Sequence, residues 1–253
     1  MTPEHIELVK ATVPVLRESG VALTTYFYQR MLKNHPELKN TFNMDHQDTG
    51  RQPRALAAAV LAYAENIENP AVLAKAVERI TTKHVSLNIQ PEQYAIVGDN
   101  LLHSISEVLN VPMDAELIAA WKAAYMQLAD LLIGVEQSKY AALQENTGGW
   151  AGWREFEIAN IEQADNAKLF TLKAKDGQAI ATASAGQFVS VRVNIAEQNL
   201  RQPQQFTFDA DQSTEYQIRV QAEEKGTSFS VANTLLNQYK VGDVVEVSAP
   251  TTL

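Results

Sequence analysis

The chain has 253 residues, enough for one large domain or two ordinary domains that each bury an adequate core. It contains no cysteine, which excludes disulfides, thiolate metal sites and cysteine nucleophiles and is typical of a reducing compartment. A formal net charge of −9 disfavours nucleic acid and anionic membranes as partners. The charged first twenty residues lack a signal-peptide core and no later stretch approaches a membrane span, so we expect a cytoplasmic protein without an integral membrane segment.

The first half of the chain, up to about Gln144, has apolar residues at three- and four-residue spacing, which predicts helices. Thr2-Pro3-Glu4 supplies an N-cap, a first-turn proline and an acidic residue for a first helix that ends near Gly20, with Pro14 as a kink. The apolar stripes of the later helices lie at Leu23–Met31, after Pro36, and at Leu56–Ile67, Leu73–His84, Tyr94–Val108 and Asp114–Glu136. About seven helices in this half predict one compact α domain, residues 1–147.

Beyond Gly148-Gly149-Trp150 the apolar period drops to two, which predicts antiparallel strands. The alternating positions include Phe156 and Ile158, Phe170 and Leu172, Val189 to Val193, Phe206 and Phe208, and Tyr216 to Val220. Asp176-Gly177 and Gly242-Asp243 are typical turn sequences, and one helix is expected from about Ser230 to Tyr239. The fold class is therefore multidomain, α then β, with a six-stranded antiparallel Greek-key β-barrel and one helix in residues 148–253.

Several polar residues lie on the apolar helix faces. Glu136 is on the stripe of the last long helix, where an unpaired carboxylate would cost several kcal/mol of lost solvation. His84 and Tyr94 lie on two earlier apolar faces, and two arrangements fit the spacing. In the first, the three residues form one hydrogen-bonded chain: Glu136 accepts from Tyr94 or from the His84 ring, and the other ring nitrogen of His84 binds iron. In the second, each of the three groups has its own separate hydrogen-bond partner. Tyr28 and Gln52 are further polar candidates beside apolar positions.

The segments Tyr26–Met31, Asn34–Met44, Lys83–Ser86, Pro91–Tyr94 and Gly148–Trp150 carry a family resemblance. They resemble the globin domain of bacterial flavohemoglobins, the nitric oxide dioxygenase family, and the similarity runs from about residue 5 to residue 160. The resemblance implies a globin fold that binds heme b, with O2 and NO as small ligands.

Carried over residue by residue, the resemblance implies a heme site. It makes His84 the proximal ligand of the iron and lets Phe42 pack on the porphyrin. The catalytic residues implied are Tyr28 on the distal side and Tyr94 and Glu136 beside the proximal ligand, and Gln52 and Leu56 complete the distal side. Pro53 departs from the family pattern, and a proline there can shift the start of the helix that carries Gln52.

The second domain lacks the family's flavin contacts. The family holds FAD with an Arg-x-Tyr-Ser run, in which Arg meets the pyrophosphate while Tyr and Ser contact the flavin. Here the run corresponds to Gln204–Thr207, without the charge or the phenol; a register three residues earlier restores Arg201 but places Pro203 and Gln204 at the other positions. Val231-Ala232 at the helix start also lacks the family's hydroxyl. FAD binding is therefore expected to be weak or absent.

The chain ends at Leu253, where the family's nicotinamide domain would begin, so we expect a natural protein without its own hydride-donor site. The leading hypothesis is a heme globin that binds O2 and NO and converts NO to nitrate when a separate reductase supplies electrons. The enzyme assignment depends on that reductase. One alternative is a heme-based gas or redox sensor or carrier whose barrel docks a signalling protein; another is a heme and flavin electron carrier that holds FAD through backbone contacts.

Overall fold

The computed structural model describes residues 1–224 and 227–252; Leu253, named above as the end of the chain, lies outside them. Seven α-helices occupy the first half of this described part, as many as the sequence predicts, although the helix expected after Pro36 is a 3-10 helix and the one at Met44–Asp48 was not expected. They are α1 Pro3–Ala11, α2 Val13–Asn34, α3 Met44–Asp48, α4 Arg51–Glu65, α5 Ala74–Ser86, α6 Pro91–Leu109 and α7 Glu116–Glu145. Two short 3-10 helices, Pro36–Asn40 and Pro70–Leu73, precede α3 and α5.

The first two helices divide at a different place from the one predicted. Thr2 caps α1 as expected, because its side chain accepts a hydrogen bond from the His5 N–H. The chain then breaks at Thr12, and α2 runs without interruption through Gly20 to Asn34. Pro14 lies in the first turn of α2, where its missing N–H costs no hydrogen bond. The predicted stop at Gly20 is wrong: the helix continues through this buried glycine, where a Cβ would make only an ordinary contact of 3.6 Å with the Ala57 Cβ.

The second half forms the predicted six-stranded antiparallel sheet with one helix. The strands are β1 Arg154–Ala164, β2 Ala167–Ala174, β3 Phe188–Ile195, β4 Leu200–Thr207, β5 Tyr216–Gln221 and β6 Val244–Val247, and the helix is α8, Val231–Gln238. Neighbouring strands follow the order β4-β3-β6-β1-β2-β5, and the two end strands, β4 and β5, approach each other. Gly177 and Gly242 have positive φ angles of 69° and 91°, as the two predicted turns require.

The chain forms two compact units whose limits differ from the boundary expected at residue 148. The first unit contains residues 1–38, 46–81 and 90–135, and the second contains residues 39–45, 82–89 and 136–253. Two short segments and the end of α7 therefore pack with the sheet. Gln202, a fully buried residue of β4, gives one reason: its side chain donates to the Lys39 carbonyl at 2.6 Å and accepts from the Met44 N–H at 2.7 Å. The division into domains at residues 1–147 and 148–253 stays a prediction.

One described helix has the length and composition of a membrane span. It is α7, and a third of its most apolar stretch is buried within the structure. The expectation that no stretch approaches such a span was therefore too strong. The core helix of a soluble protein meets the same criterion, and α7 carries the buried side chains of Trp121 and Glu136.

Candidate functional site

His84 and Glu136 form a hydrogen-bonded pair in the second unit, in which Glu136 is buried and the His84 side chain is 31% exposed. His84 lies in the last turn of α5, and its Nδ1 is 2.7 Å from Oε1 of Glu136 on α7. Glu136 is only 3% exposed, so its carboxylate requires a donor to offset the lost solvation. A carboxylate can only accept, which makes Nδ1–H of His84 the donor and Nε2 the nitrogen suited to bind a metal. The predicted hydrogen bond between these two residues is confirmed.

The end of α7 also holds the segment around His84 at two further points. Lys139 Nζ donates to Thr82 Oγ1 at 3.0 Å, and the Tyr140 hydroxyl donates to the Ile89 carbonyl at 2.7 Å. Burial raises the pKa of Tyr140, and the charge of Glu136 raises that pKa further, so the hydroxyl keeps its proton. The imidazole is therefore carried by a segment that is anchored before and after it.

Tyr28 and Gln52, the predicted distal residues, meet in the first unit. Tyr28 is a buried residue of α2, and its side chain is hydrogen-bonded to that of Gln52 on α4. Burial raises the pKa of the Tyr28 hydroxyl well above its ordinary value, an effect that the Gln52 hydrogen bond partly opposes. The hydroxyl therefore stays protonated and able to donate a hydrogen bond at neutral pH. Leu56 lies one turn after Gln52 and is partly buried.

Pro53 does not displace Gln52 from its helix. The α4 helix begins at Arg51, after Gly50 with a φ of 67°, so Pro53 lies in its first turn, where no intrahelical donor is needed. The Pro53 carbonyl accepts a hydrogen bond of 2.8 Å from the Thr24 hydroxyl of α2. Helix α4 thus starts early enough to include Gln52.

The two remaining predicted residues lie in different units. Tyr94 is a buried residue near the start of α6 in the first unit, and its carbonyl accepts from the Tyr125 hydroxyl at 2.6 Å. Phe42 belongs to the second unit and lies, partly buried, just before α3. The proposed chain of three groups is therefore confirmed only for His84 and Glu136, and the part played by Tyr94 stays a prediction.

The start of α8, where the family would place FAD phosphates, is occupied by side chains of this protein. Gln204 Oε1 accepts from the Ala232 N–H at 3.0 Å, and Gln204 Nε2 donates to Glu223 Oε1 at 3.0 Å. The Ser230 hydroxyl donates to Glu223 Oε2 at 2.6 Å and accepts from the Asn233 N–H at 3.2 Å. We call these residues the α8 cap network.

The α8 cap network also fixes the position of Glu223. The Glu223 N–H donates to Asn233 Oδ1 at 2.9 Å, and Asn233 Nδ2 donates to the Glu223 carbonyl at 3.0 Å. Gln204 and Ala232 were expected here from the sequence. Glu223 was not expected, because no local pattern predicts its contacts. Arg201, the alternative phosphate ligand, has an exposed side chain whose Nη1 lies 3.6 Å from Glu246, a carboxylate that Arg192 also binds.

Comparison with known proteins places these features in a family. The globin family model matches residues 25–132. A flavohemoprotein of Bordetella pertussis is 48% identical over 99% of this chain, which spans 63% of that protein's length. The crystal structure of a flavohemoglobin from Malassezia yamatoensis with bound FAD and heme is 26% identical, with a TM-score of 0.87. The match covers all of this chain and 64% of the flavohemoglobin chain.

A bacterial globin from Campylobacter jejuni is 41% identical, with a TM-score of 0.53, over 55% of this chain and 99% of its own. Helices α1 to α7 supply the globin part, and the six-stranded sheet matches the corresponding region of the flavohemoglobin structure. The chain therefore belongs to the globin family, and it joins a globin to a sheet domain of the flavohemoglobin type.

Proposed function

We propose that this protein is a cytoplasmic heme globin that binds O2 and NO and oxidises NO to nitrate with electrons from a separate reductase. The observation that carries the proposal is the hydrogen bond from His84 Nδ1 to the buried carboxylate of Glu136. Globin membership and the flavohemoprotein relatives support heme b as the cofactor. The donor set fits that group, because a histidine with its Nδ1 held by a carboxylate would offer Nε2 as a strong ligand for the iron.

Heme, when bound, supplies the iron at which O2 and NO react. The role of Glu136 is to hold the proton at Nδ1 of His84, which raises the electron density at Nε2. Tyr28 has the complementary role of donating a hydrogen bond to a bound ligand, because burial keeps its hydroxyl protonated. A hydrogen bond to developing negative charge is strong where water is excluded.

The residues of the sheet domain do not fit FAD. The dinucleotide carries two phosphate charges and is usually met by helix N–H groups and cations. Here the Ala232 N–H already donates to Gln204, and the carboxylate of Glu223 lies within the same network. In the register that places Gln204 at the position of the family arginine, a charge-assisted contact worth roughly 1.5–3 kcal/mol is lost, or ten- to a hundredfold in affinity. These contacts support an external electron donor.

The test combines a spectrum with an assay. The purified protein should show a Soret band and no flavin absorbance. With O2 present, NO should be converted to nitrate when NADH and a flavin-containing reductase are both added, and NADH alone should give no turnover. A protein without heme would contradict the globin function; stoichiometric flavin, or turnover with NADH alone, would contradict the external donor.

A sensor or carrier that passes the heme state to a signalling protein is the second candidate. It is favoured by the packing of the His84 segment, residues 82–89, in the same compact unit as the sheet. Rapid catalytic turnover in the reductase assay would exclude it as the main function. Slow turnover, together with a change in sheet-domain protease sensitivity on ligand binding, would favour it.

A further inference from the structure

A polar cluster joins the end of α5 to the sheet. It consists of Ser86, the last residue of α5, together with Ser190 of β3 and Gln205 of β4. The Ser86 hydroxyl accepts from Ser190 Oγ at 3.0 Å and from Gln205 Nε2 at 3.3 Å, and it donates to the Lys83 carbonyl at 2.8 Å. The hydroxyl thereby uses its one donor and both acceptor positions.

The two sheet residues of this cluster are held rigidly. Ser190 and Gln205 are direct partners in the antiparallel register of β3 and β4, so their side chains lie on the same face. Ser190 is fully buried; its N–H donates to the Ser248 hydroxyl at 2.9 Å, and its carbonyl accepts from the Ser248 N–H at 2.9 Å. Ser86 is therefore bound to a fixed point of the sheet.

Ser86 lies two residues after His84, within a turn that backbone hydrogen bonds close between His84 and Ile89. The His84 carbonyl accepts from the N–H groups of Leu87 and Ile89, both at 3.0 Å. On the other side of the segment, α7 supplies the Glu136 carboxylate to the His84 ring and the Tyr140 hydroxyl to Ile89. The segment is thus held between α7 and the sheet, and a change in the position of Ser86 would move the imidazole.

We infer that Ser190 and Gln205 are positioning residues that set the placement of the His84 imidazole through Ser86. The inference rests on the proposed function, because it concerns the residue proposed to bind the heme iron. It gives the sheet a role that needs no flavin: the sheet holds the turn that carries the axial ligand. Ser190 and Gln205 are then the points through which a change in the sheet reaches His84.

The first test measures the turn itself in the heme-free protein. Ser190→Ala removes one donor to Ser86, and Gln205→Met removes the other with little change in size. Amide hydrogen exchange at Leu87 and Ile89 should become about five- to tenfold faster in each variant, the effect of losing one buried hydrogen bond. Thr234→Val is the matched control, because it deletes another buried hydroxyl of the second unit, bound to the Ser230 carbonyl at 2.8 Å. Unchanged exchange in both variants would overturn the inference.

The second test uses the ferrous heme protein and the iron–histidine stretching band in its resonance Raman spectrum. Ser190→Ala and Gln205→Met should each shift this band, and Thr234→Val should leave it in place. Faster exchange with an unmoved band would show that the pair only stabilises the turn, and the positioning role would be wrong. A wild-type chain that binds no heme would contradict the proposed function instead, while the exchange test would still decide whether the sheet holds the turn.

Discussion

Replacing Glu136 by glutamine isolates the effect of its charge on His84, the proposed ligand of the heme iron. The Glu136→Gln variant can keep an amide oxygen near Nδ1 of His84, at the 2.7 Å contact that the carboxylate now makes, so heme should still bind. A hydrogen bond to a carboxylate is worth roughly 1–1.5 kcal/mol more than one to a neutral acceptor. Loss of that energy lowers the basicity of Nε2 and destabilises the ferric state relative to the ferrous state.

For a one-electron couple this energy corresponds to a rise of at most about 40–65 mV in the reduction potential of the iron, reached if the whole loss falls on the ferric state. Spectroelectrochemical titration of the wild type and the Glu136→Gln variant at the same pH measures the difference directly. NO consumption with an added reductase should be slower in the variant, because the proximal ligand donates less electron density. Full heme content with an unchanged potential would show that Glu136 does not act on the iron through His84.

Three further outcomes are expected. His84→Ala should abolish stable heme incorporation. The control variant, His103→Ala, removes an imidazole bound to its own helix and should keep normal heme stoichiometry. Equal heme content in both variants would refute the ligand assignment. Burial raises the pKa of Tyr63 to about 12, so its contribution to stability is complete below about pH 10, the unfolded value, and is lost as the pH rises to about 12. Chemical denaturation measures the free energy of unfolding across this range. For Tyr63→Phe it should therefore fall by about 1.4 kcal/mol less per pH unit than for the wild type. Finally, Gln204→Arg should increase FAD affinity about tenfold or more in a flavin fluorescence titration, and no gain would weaken the explanation based on the lost charge.

Local patterns in the sequence were sufficient for the fold class and for one half of the proximal pair. The helix and strand periods follow from which side chains face the core, and caps such as Thr2 act within one turn. Glu136 could be singled out because a carboxylate on an apolar stripe requires a partner. The stop expected at Gly20 failed because a glycine has the same local signature whether it ends a helix or lies within one.

The partners of these polar groups follow from the packing of distant parts of the chain. This packing selected His84 as a partner of Glu136, 52 residues earlier in the chain, and it joined Ser86 to Ser190 across 104 residues. It also placed Glu223, which no local pattern predicts, beside Gln204 at the start of α8. Such contacts depend on strand register and on the packing of distant elements, and neither is encoded in the spacing of neighbouring residues. Local sequence patterns therefore indicate which buried polar residues need hydrogen-bond partners, and the packing of the folded chain determines which partners these are.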